Sequence, residues 1–149
     1  MRVLVTGHLG YIGTVMVPML LQEGWDVVGF DTDLFERSTF GDGIKQVPNI
    51  KKDIRDVEVA DVKGFDAIIH LAGLSNDPLG DLNPNLTYDI NHVASVRLAE
   101  CAKQAGVRKF VFSSSCSNYG AGGEDLLNEH SAFNPVTPYG ISKVRVEQD

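Results

Sequence analysis

Cysteine is scarce in this sequence: Cys101 and Cys116 are the two present, and they form no Cys-x-x-Cys pair. A chain of 149 residues with 43% hydrophobic content has enough apolar side chains for a core and needs no disulfide framework, so both thiols are expected to be reduced. Basic residues are outnumbered, with 13 Lys and Arg against 20 Asp and Glu and a net charge of -7. A duplex would have to be bound against that field, and no nucleic-acid partner is expected. No apolar run approaches the roughly 18 to 20 residues of a membrane span, and the segment from Met1 to Gly13 lacks the features of a signal peptide. A soluble cytoplasmic protein without membrane contact is therefore expected. The histidines His8, His70, His92 and His130 lack the spacing of zinc ligands, and no metal is implied. Internal repeats and low-complexity tracts are missing too, which leaves one domain.

What is present is an alternation of apolar runs and helical stripes. Val3 to Val5 reads as a buried strand ending at Thr6-Gly7. Ile12, Val15, Met16, Met19 and Leu20 then fall on one helical stripe that stops near Gly24, with Pro18 inside it. Asp26 to Phe30 is a second strand closed by Asp31, and Asp66 to His70 a further one. Between them lie a weak strand near Ile50 and a short helix around Val57 to Val62. From Pro84 to Ala105 the stripe Leu86, Ile90, Ala94, Leu98, Cys101, Ala102, Ala105 predicts one helix capped at Gly106, followed by a strand at Lys109 to Phe112. The Gly120 to Gly123 and Asn134 to Pro138 segments read as loops, and a last helix begins near Tyr139. Strand-helix alternation implies parallel pairing through right-handed crossovers, hence an α/β doubly wound sheet. The expected strand order is 3-2-1-4-5, with a crevice between the first and fourth strands where Gly10 and Ala72 approach each other.

Several residues carry chemistry in that frame. Gly7-His8-Leu9-Gly10-Tyr11-Ile12-Gly13 links the first strand to the first helix, where glycines let a pyrophosphate approach backbone amides at a helix N-terminus. Asp31, eighteen residues past Gly13, stands where a carboxylate accepts bonds from an adenosine ribose and repels a 2'-phosphate. NAD is thereby favoured over NADP, with Arg37 nearby as the residue that would serve a phosphate. Tyr139 and Lys143 are four apart and share a helix face, so the ammonium stabilises a phenolate. A tyrosine with an ordinary pKa of about 10 needs such help to act as a base near neutrality. Ser115 would hydrogen-bond the reacting hydroxyl. Ser113 and Ser114 read as strand-end, cofactor-side residues. Cys116 reads either as a site thiol or as a buried structural one, and Cys101 as core.

The Gly-x-x-Gly-x-x-Gly spacing together with Tyr139-Gly140-Ile141-Ser142-Lys143 resembles the extended short-chain dehydrogenase/reductase superfamily. Within it the chain looks like the N-terminal portion of the nucleotide-sugar epimerase/dehydratase branch, of UDP-glucose 4-epimerase-like type. Asp53-Ile54-Arg55-Asp56, His70-Leu71-Ala72-Gly73-Leu74, Asn91, Phe112-Ser113-Ser114-Ser115 and Tyr119-Gly120 extend the match in the family's order. The resemblance implies a Rossmann-like fold in which Gly7, Gly10, Tyr11, Ile12, Gly13 and Asp31 bind NAD, Asp53 and Ile54 hold the adenine, and Leu71, Ala72, Gly73, Asn91 and Ser113 line the cofactor path. It implies that Lys143 bonds the nicotinamide ribose, that Tyr139 also touches the cofactor, and that Ser115, Tyr139 and Lys143 are catalytic. Substrate would meet Ser75, Asn76, Ser115, Cys116 and Tyr139. Pairing of two copies through the helix bearing Asn91 and the one starting at Tyr139 is also implied.

Related 4,6-dehydratases carry an acid pair just after the catalytic Ser or Thr, where this chain has Cys116 and Ser117. The reading is therefore an NAD-dependent 4-epimerase acting on a nucleotide sugar by transient oxidation and re-reduction at C4. A dehydratase or 4-ketosugar reductase is the alternative among enzymes, and a non-catalytic NAD-binding module the alternative outside them. Members of the family are longer, so residues 1–149 are expected to be an NAD-binding domain lacking its substrate domain, with weak NAD binding and little turnover alone.

Overall fold

The computed structural model describes residues 1–35, 38, 43–120 and 126–149. Arg37 and most of the expected loop at 120–123 lie outside the described residues. Two compact units can be distinguished: Met1–Ala72 with Arg97–Ser113, and Gly73–Val96 with Ser114–Asp149.

The first unit holds five strands: β1 (Arg2–Thr6), β2 (Asp26–Asp31), β3 (Asn49–Lys51), β4 (Ala67–His70) and β5 (Lys109–Phe112). All pairings are parallel, and the order is β3-β2-β1-β4-β5 as expected. Val3 stands opposite Val27 and Ala67, on a face that packs with Val17 of the first helix. Leu4 stands opposite Val28 and Ile68 on the other face, and these are buried as well. A strand buried on both faces must be apolar at every position rather than at every second one, which is why β1 reads as a continuous run.

The first helix, α1 (Tyr11–Gln22), turns a different side inward from the one its stripe predicts. Gly13 and Val17 are buried with Leu20 and Leu21 partly so, whereas Ile12, Val15 and Met19 are 52%, 62% and 60% exposed. Residues 13, 17, 20 and 21 have the same helical spacing as the predicted set, and almost every side chain here is apolar, so periodicity alone cannot choose. Glycine decides: a Cβ at Gly13 would stand 2.5 Å from the Gly7 carbonyl oxygen and the His8 Cα, so this face lies against the preceding turn. Pro18 sits inside the helix without ending it. The weak strand near Ile50 is β3, and the expected short helix resolves into a 3-10 turn (Ile54–Asp56) and α2 (Val59–Val62).

The second unit contains α3 (Asp77–Leu82), α4 (Pro84–Tyr88), a π-helical turn (Asp89–Val93) and the first residues of α5 (Ala94–Gln104). It also has a 3-10 turn (Cys116–Tyr119) and α6 (Pro138–Gln148). The single helix predicted from Pro84 to Ala105 is thus interrupted by one wide turn. From Ala94 onward the predicted stripe is buried at Leu98, Cys101 and Ala102, but upstream the buried side chains are Thr87 and Asn91, and Leu86 is exposed. A π turn takes up more residues than an α turn and so rotates the preceding face. Among the described residues, no helix is long and apolar enough to cross a membrane.

The observed orientation of α1 makes a direct comparison possible. Val17→Ala should lower unfolding stability by about 1–3 kcal/mol, and Val15→Ala should stay within about 0.5 kcal/mol of the parent. Urea midpoints of the two variants measure this, and equal losses would contradict the helix face described.

Candidate functional site

The first unit carries a turn built to keep side chains out. At the end of β1, Gly7 takes a left-handed φ of 71°, and a Cβ there would stand 2.7 Å from the Ala72 backbone nitrogen. The close approach expected of Gly10 to Ala72 is therefore made by Gly7 instead. Gly10 is the N-cap of α1, with no side chain to satisfy the first amides of the helix, and only the Gly7 carbonyl oxygen comes within 4 Å of its missing Cβ. Open space above a helix start with uncapped amides suits a diphosphate, by sterics and by dipole. Tyr11 is almost wholly exposed at the first helical position, with Ile12 beside it.

Asp31 ends β2 next to this turn. Its Oδ2 accepts the Leu9 amide at 3.1 Å and its Oδ1 accepts the Asp33 amide at 2.9 Å. A carboxylate has about four acceptor positions, so two remain for a vicinal pair of ribose hydroxyls. The uncapped amides, the glycines and the Asp31 acceptors together fit a dinucleotide. Leu71 donates its amide to the Thr6 carbonyl, and Ala72 donates to Thr6 Oγ1, which also lies 2.6 Å from His70 Nδ1. Asp53 caps the Ile54–Asp56 turn, and Arg55 binds both of its oxygens, which holds the carboxyl below its ordinary range. Ile54, expected to meet the adenine, is buried. Ser113 receives its place from an amide bond to the His70 carbonyl.

The second unit brings Ser115, Tyr139 and Lys143 into one body. Ser115 caps the 3-10 turn by accepting the Ser117 amide at 3.1 Å, a bond that uses a lone pair of its oxygen and not its hydroxyl proton. Thr137 caps α6 by accepting the Gly140 amide, and its hydroxyl donates to Asp77 at 2.5 Å. Gly140 is required where α6 meets the serine turn, because a Cβ there would lie 2.7 Å from the Ser117 carbonyl oxygen. One turn on, Lys143 Nζ sits 5.5 Å from the centre of the Tyr139 ring. Lys143 is only 8% exposed, and burial pushes its pKa down to about 8.

Other predicted residues have defined tasks. Asn91 is buried and clamps Leu74, accepting its amide at 2.7 Å and donating to its carbonyl at 2.9 Å. A Cβ at Gly73 would meet the same Asn91 oxygen at 2.9 Å. Asn91 therefore shapes the loop after β4. Asn76 caps α3 through the Leu79 amide, and Ser75 is exposed beside it. Cys116 is exposed, which corrects the buried structural alternative, whereas Cys101 is core as expected. Among the described residues no cluster of His, Cys, Asp or Glu is placed to hold a metal.

Two residues went unnoticed in the sequence. Asn118 is buried and donates from Nδ2 to Ser114 Oγ at 3.0 Å and to Glu147 Oε1 at 2.7 Å, and Ser114 also bonds Glu147. These contacts tie the serine turn to α6. Glu147 follows Lys143 by four residues, so continuing the helical spacing that linked Tyr139 to Lys143 would have found it. His8, read from the sequence as part of the glycine turn, has its ring against β2 where Gly29 leaves room.

Residues 3–149 match the model of the NAD-dependent epimerase/dehydratase family. The UDP-glucose 4-epimerase of Mycolicibacterium smegmatis is 36% identical over 99% of this chain and 49% of its own length. A UDP-glucose 4-epimerase structure from Stenotrophomonas maltophila, with bound NAD and a formylated UDP-arabinopyranose, aligns with a TM-score of 0.87 at 31% identity, over 99% of this chain and 47% of that one. An NAD-dependent NDP-hexosamine 5,6-dehydratase of tunicamycin biosynthesis aligns with a TM-score of 0.87 at 27% identity, over 99% and 48%. The chain spans about half the length of the curated relatives it matches.

The depressed pKa of Lys143 has a measurable sign. Below about pH 8 the ammonium is charged in the folded and unfolded chain alike, and burying it costs roughly 3 kcal/mol. Between about pH 8 and 10.5 the folded form has already shed the proton that the unfolded form still binds, so the cost fades as pH rises. The stability of Lys143→Met relative to the parent should therefore fall as pH rises from 7 to 9.5. Urea titrations at the two values measure the gap, and a constant difference would contradict the buried charge.

Proposed function

This chain belongs to the NAD-dependent epimerase/dehydratase family and its cofactor is NAD, and from that premise we propose that the protein is a nucleotide-sugar 4-epimerase with residues 1–149 as its NAD-binding domain. The observation that carries the reading is the buried Lys143 ammonium 5.5 Å from the Tyr139 ring, in the same unit as the Ser115 hydroxyl. Burial of an ammonium beside a phenol costs solvation. A lysine that stabilises developing phenolate charge accounts for that position.

In the first unit, Gly7, Gly10 and Gly13 keep the helix start bare, so the amides at Tyr11 and Ile12 hold the diphosphate. Asp31 takes the adenosine ribose, and the Asp53–Ile54 backbone meets the adenine. Leu71 and Ala72 border the cofactor, as does Ser113. In the second unit, Gly73 is assigned to the cofactor by the family match, and Asn91 fixes the loop that follows it. Bound NAD supplies reversible acceptance of a hydride from the sugar carbon. The protein's own task is the proton: Tyr139 Oη takes it from the C4 hydroxyl, with Ser115 Oγ donating a hydrogen bond to the same oxygen. Lys143 holds the nicotinamide ribose and offsets the phenolate charge. In the reverse direction Tyr139 would return the proton to the C4 oxygen, so the chain's own proton inventory is unchanged over a turnover.

Positions 116 and 117 support epimerisation over water loss, because an exposed thiol and a serine amide bound to Ser115 replace the acid pair of a dehydratase. Ser75, Asn76 and Cys116 are placed on the substrate side of this reading.

With NAD and a panel of nucleotide hexoses, the longest available form of the protein should give a C4 epimer of unchanged mass by NMR and mass spectrometry. A dehydrated product would overturn the reaction assigned. Tyr139→Phe should lower kcat by about 100- to 10,000-fold. The folded parent should bind NAD more tightly than NADP by calorimetry, with the margin reduced in Asp31→Ser.

A further inference from the structure

His8 occupies the second position of the glycine turn, and the fold has been arranged around its ring. The residue is 3% exposed, and a Cβ on Gly29 of β2 would stand 2.3 Å from the ring atoms. Any side chain at position 29 would displace the imidazole. Thus held, His8 Nδ1 is buried and has no hydrogen-bond partner among the described residues. Oδ2 of Asp31 lies 3.9 Å from it, the oxygen that also accepts the Leu9 amide. Buried polar atoms are rarely left unmatched, and those that are call for a physical account.

We propose that His8 is a specificity-determining positioning residue. Uncharged, it leaves the Asp31 carboxylate at full charge to accept a ribose diol and repel a 2'-phosphate. On taking a proton at Nδ1 it pairs with Asp31 and relaxes that discrimination. The proposal rests on the reading that Asp31 holds the adenosine ribose.

Among the described residues, the charged groups that act on the ring are few. Asp31 and Asp33, at and just beyond the end of β2, favour the protonated form, and Lys51 of β3 is paired with Asp33 at 3.5 Å. The Phe30 carbonyl also pulls toward protonation. Burial outweighs them and holds His8 below its ordinary 6.5, which keeps the ring uncharged at neutral pH and lets a proton enter as the medium turns acid. Neutralising the carboxylate weakens a charge-assisted bond to the hydroxyls and removes the repulsion that a second phosphate meets.

The test is calorimetric titration of the protein with NAD and with NADP at pH 8 and in steps down to the lowest pH at which both proteins stay folded, in the parent and in His8→Gln. The diphosphate is common to both dinucleotides and cancels in the ratio of their Kd values. The 2'-phosphate gains its own proton near pH 6 with either protein, so that effect cancels between parent and variant. The NADP-to-NAD ratio of Kd values should fall about fivefold further in the parent than in His8→Gln, because only the parent carries the titrating ring. Equal falls would overturn the proposal. Asp31→Asn separates the two readings: it should lower the ratio at pH 8, and an unchanged ratio there would show that the ribose assignment itself is wrong. A second measurement needs no variant at position 8. By linkage, a ligand favouring the protonated ring raises its titration midpoint, so the His8 NMR resonances of the parent should titrate at a higher pH with NADP bound than with NAD bound. Coincident midpoints would overturn the proposal as well.

Discussion

At the end of β1 the backbone passes so close to the segment after β4 that there is no room for a side chain at Gly7, and α1 then lies so close to the same turn that there is none at Gly13. Most of the first unit's functional geometry follows from these two contacts. They fix where α1 starts, which of its faces points inward, and where its uncapped amides emerge. They also bring Leu9 to Asp31, so one carboxylate orders the turn and still keeps acceptor positions for a ligand. Because the contacts are with backbone atoms, side-chain rearrangement cannot relieve them, and substitution at either glycine would have to move the chain.

The second unit solves a different problem, that of keeping a charge out of water. Lys143 would rather be solvated, and the network around α6 resists that preference. Thr137 and Asp77 pin one end of the helix, while Glu147, Ser114 and Asn118 pin the face one turn beyond the lysine. Gly140 lets the helix sit on the serine turn. None of these groups needs to touch a substrate to matter, because each limits how far the ammonium and the phenol can drift from one another.

The sheet was legible in the sequence because strands buried on both faces need uninterrupted apolar runs, and Val3–Val5 and Ala67–His70 have them. The glycine turn, Asp31 and the Tyr139–Lys143 pair were legible because their spacings are local. The buried face of α1 was not, since a helix that is apolar nearly all round satisfies two stripes equally well. The clamp of Asn91 on Leu74 joins positions seventeen apart through a loop, and the fit of His8 against Gly29 joins the turn after β1 to the interior of β2. Pairings of this kind depend on tertiary approach, and no period in the chain announces them. Cys116 was ambiguous for a simpler reason: a small thiol suits a core and a surface alike.

The π turn at Asp89–Val93 changes what kind of sequence variation the chain can absorb. Within those five residues most side chains are wholly or partly exposed, and one polar surface residue can replace another with little effect. Removing one residue is another matter. It would wind the segment into an ordinary α turn and carry Asn91 about a quarter of the way round the helix, away from the Leu74 peptide group. The constraint on this stretch is accordingly one of length more than of composition, and a comparison of related chains by residue identity alone would pass over it.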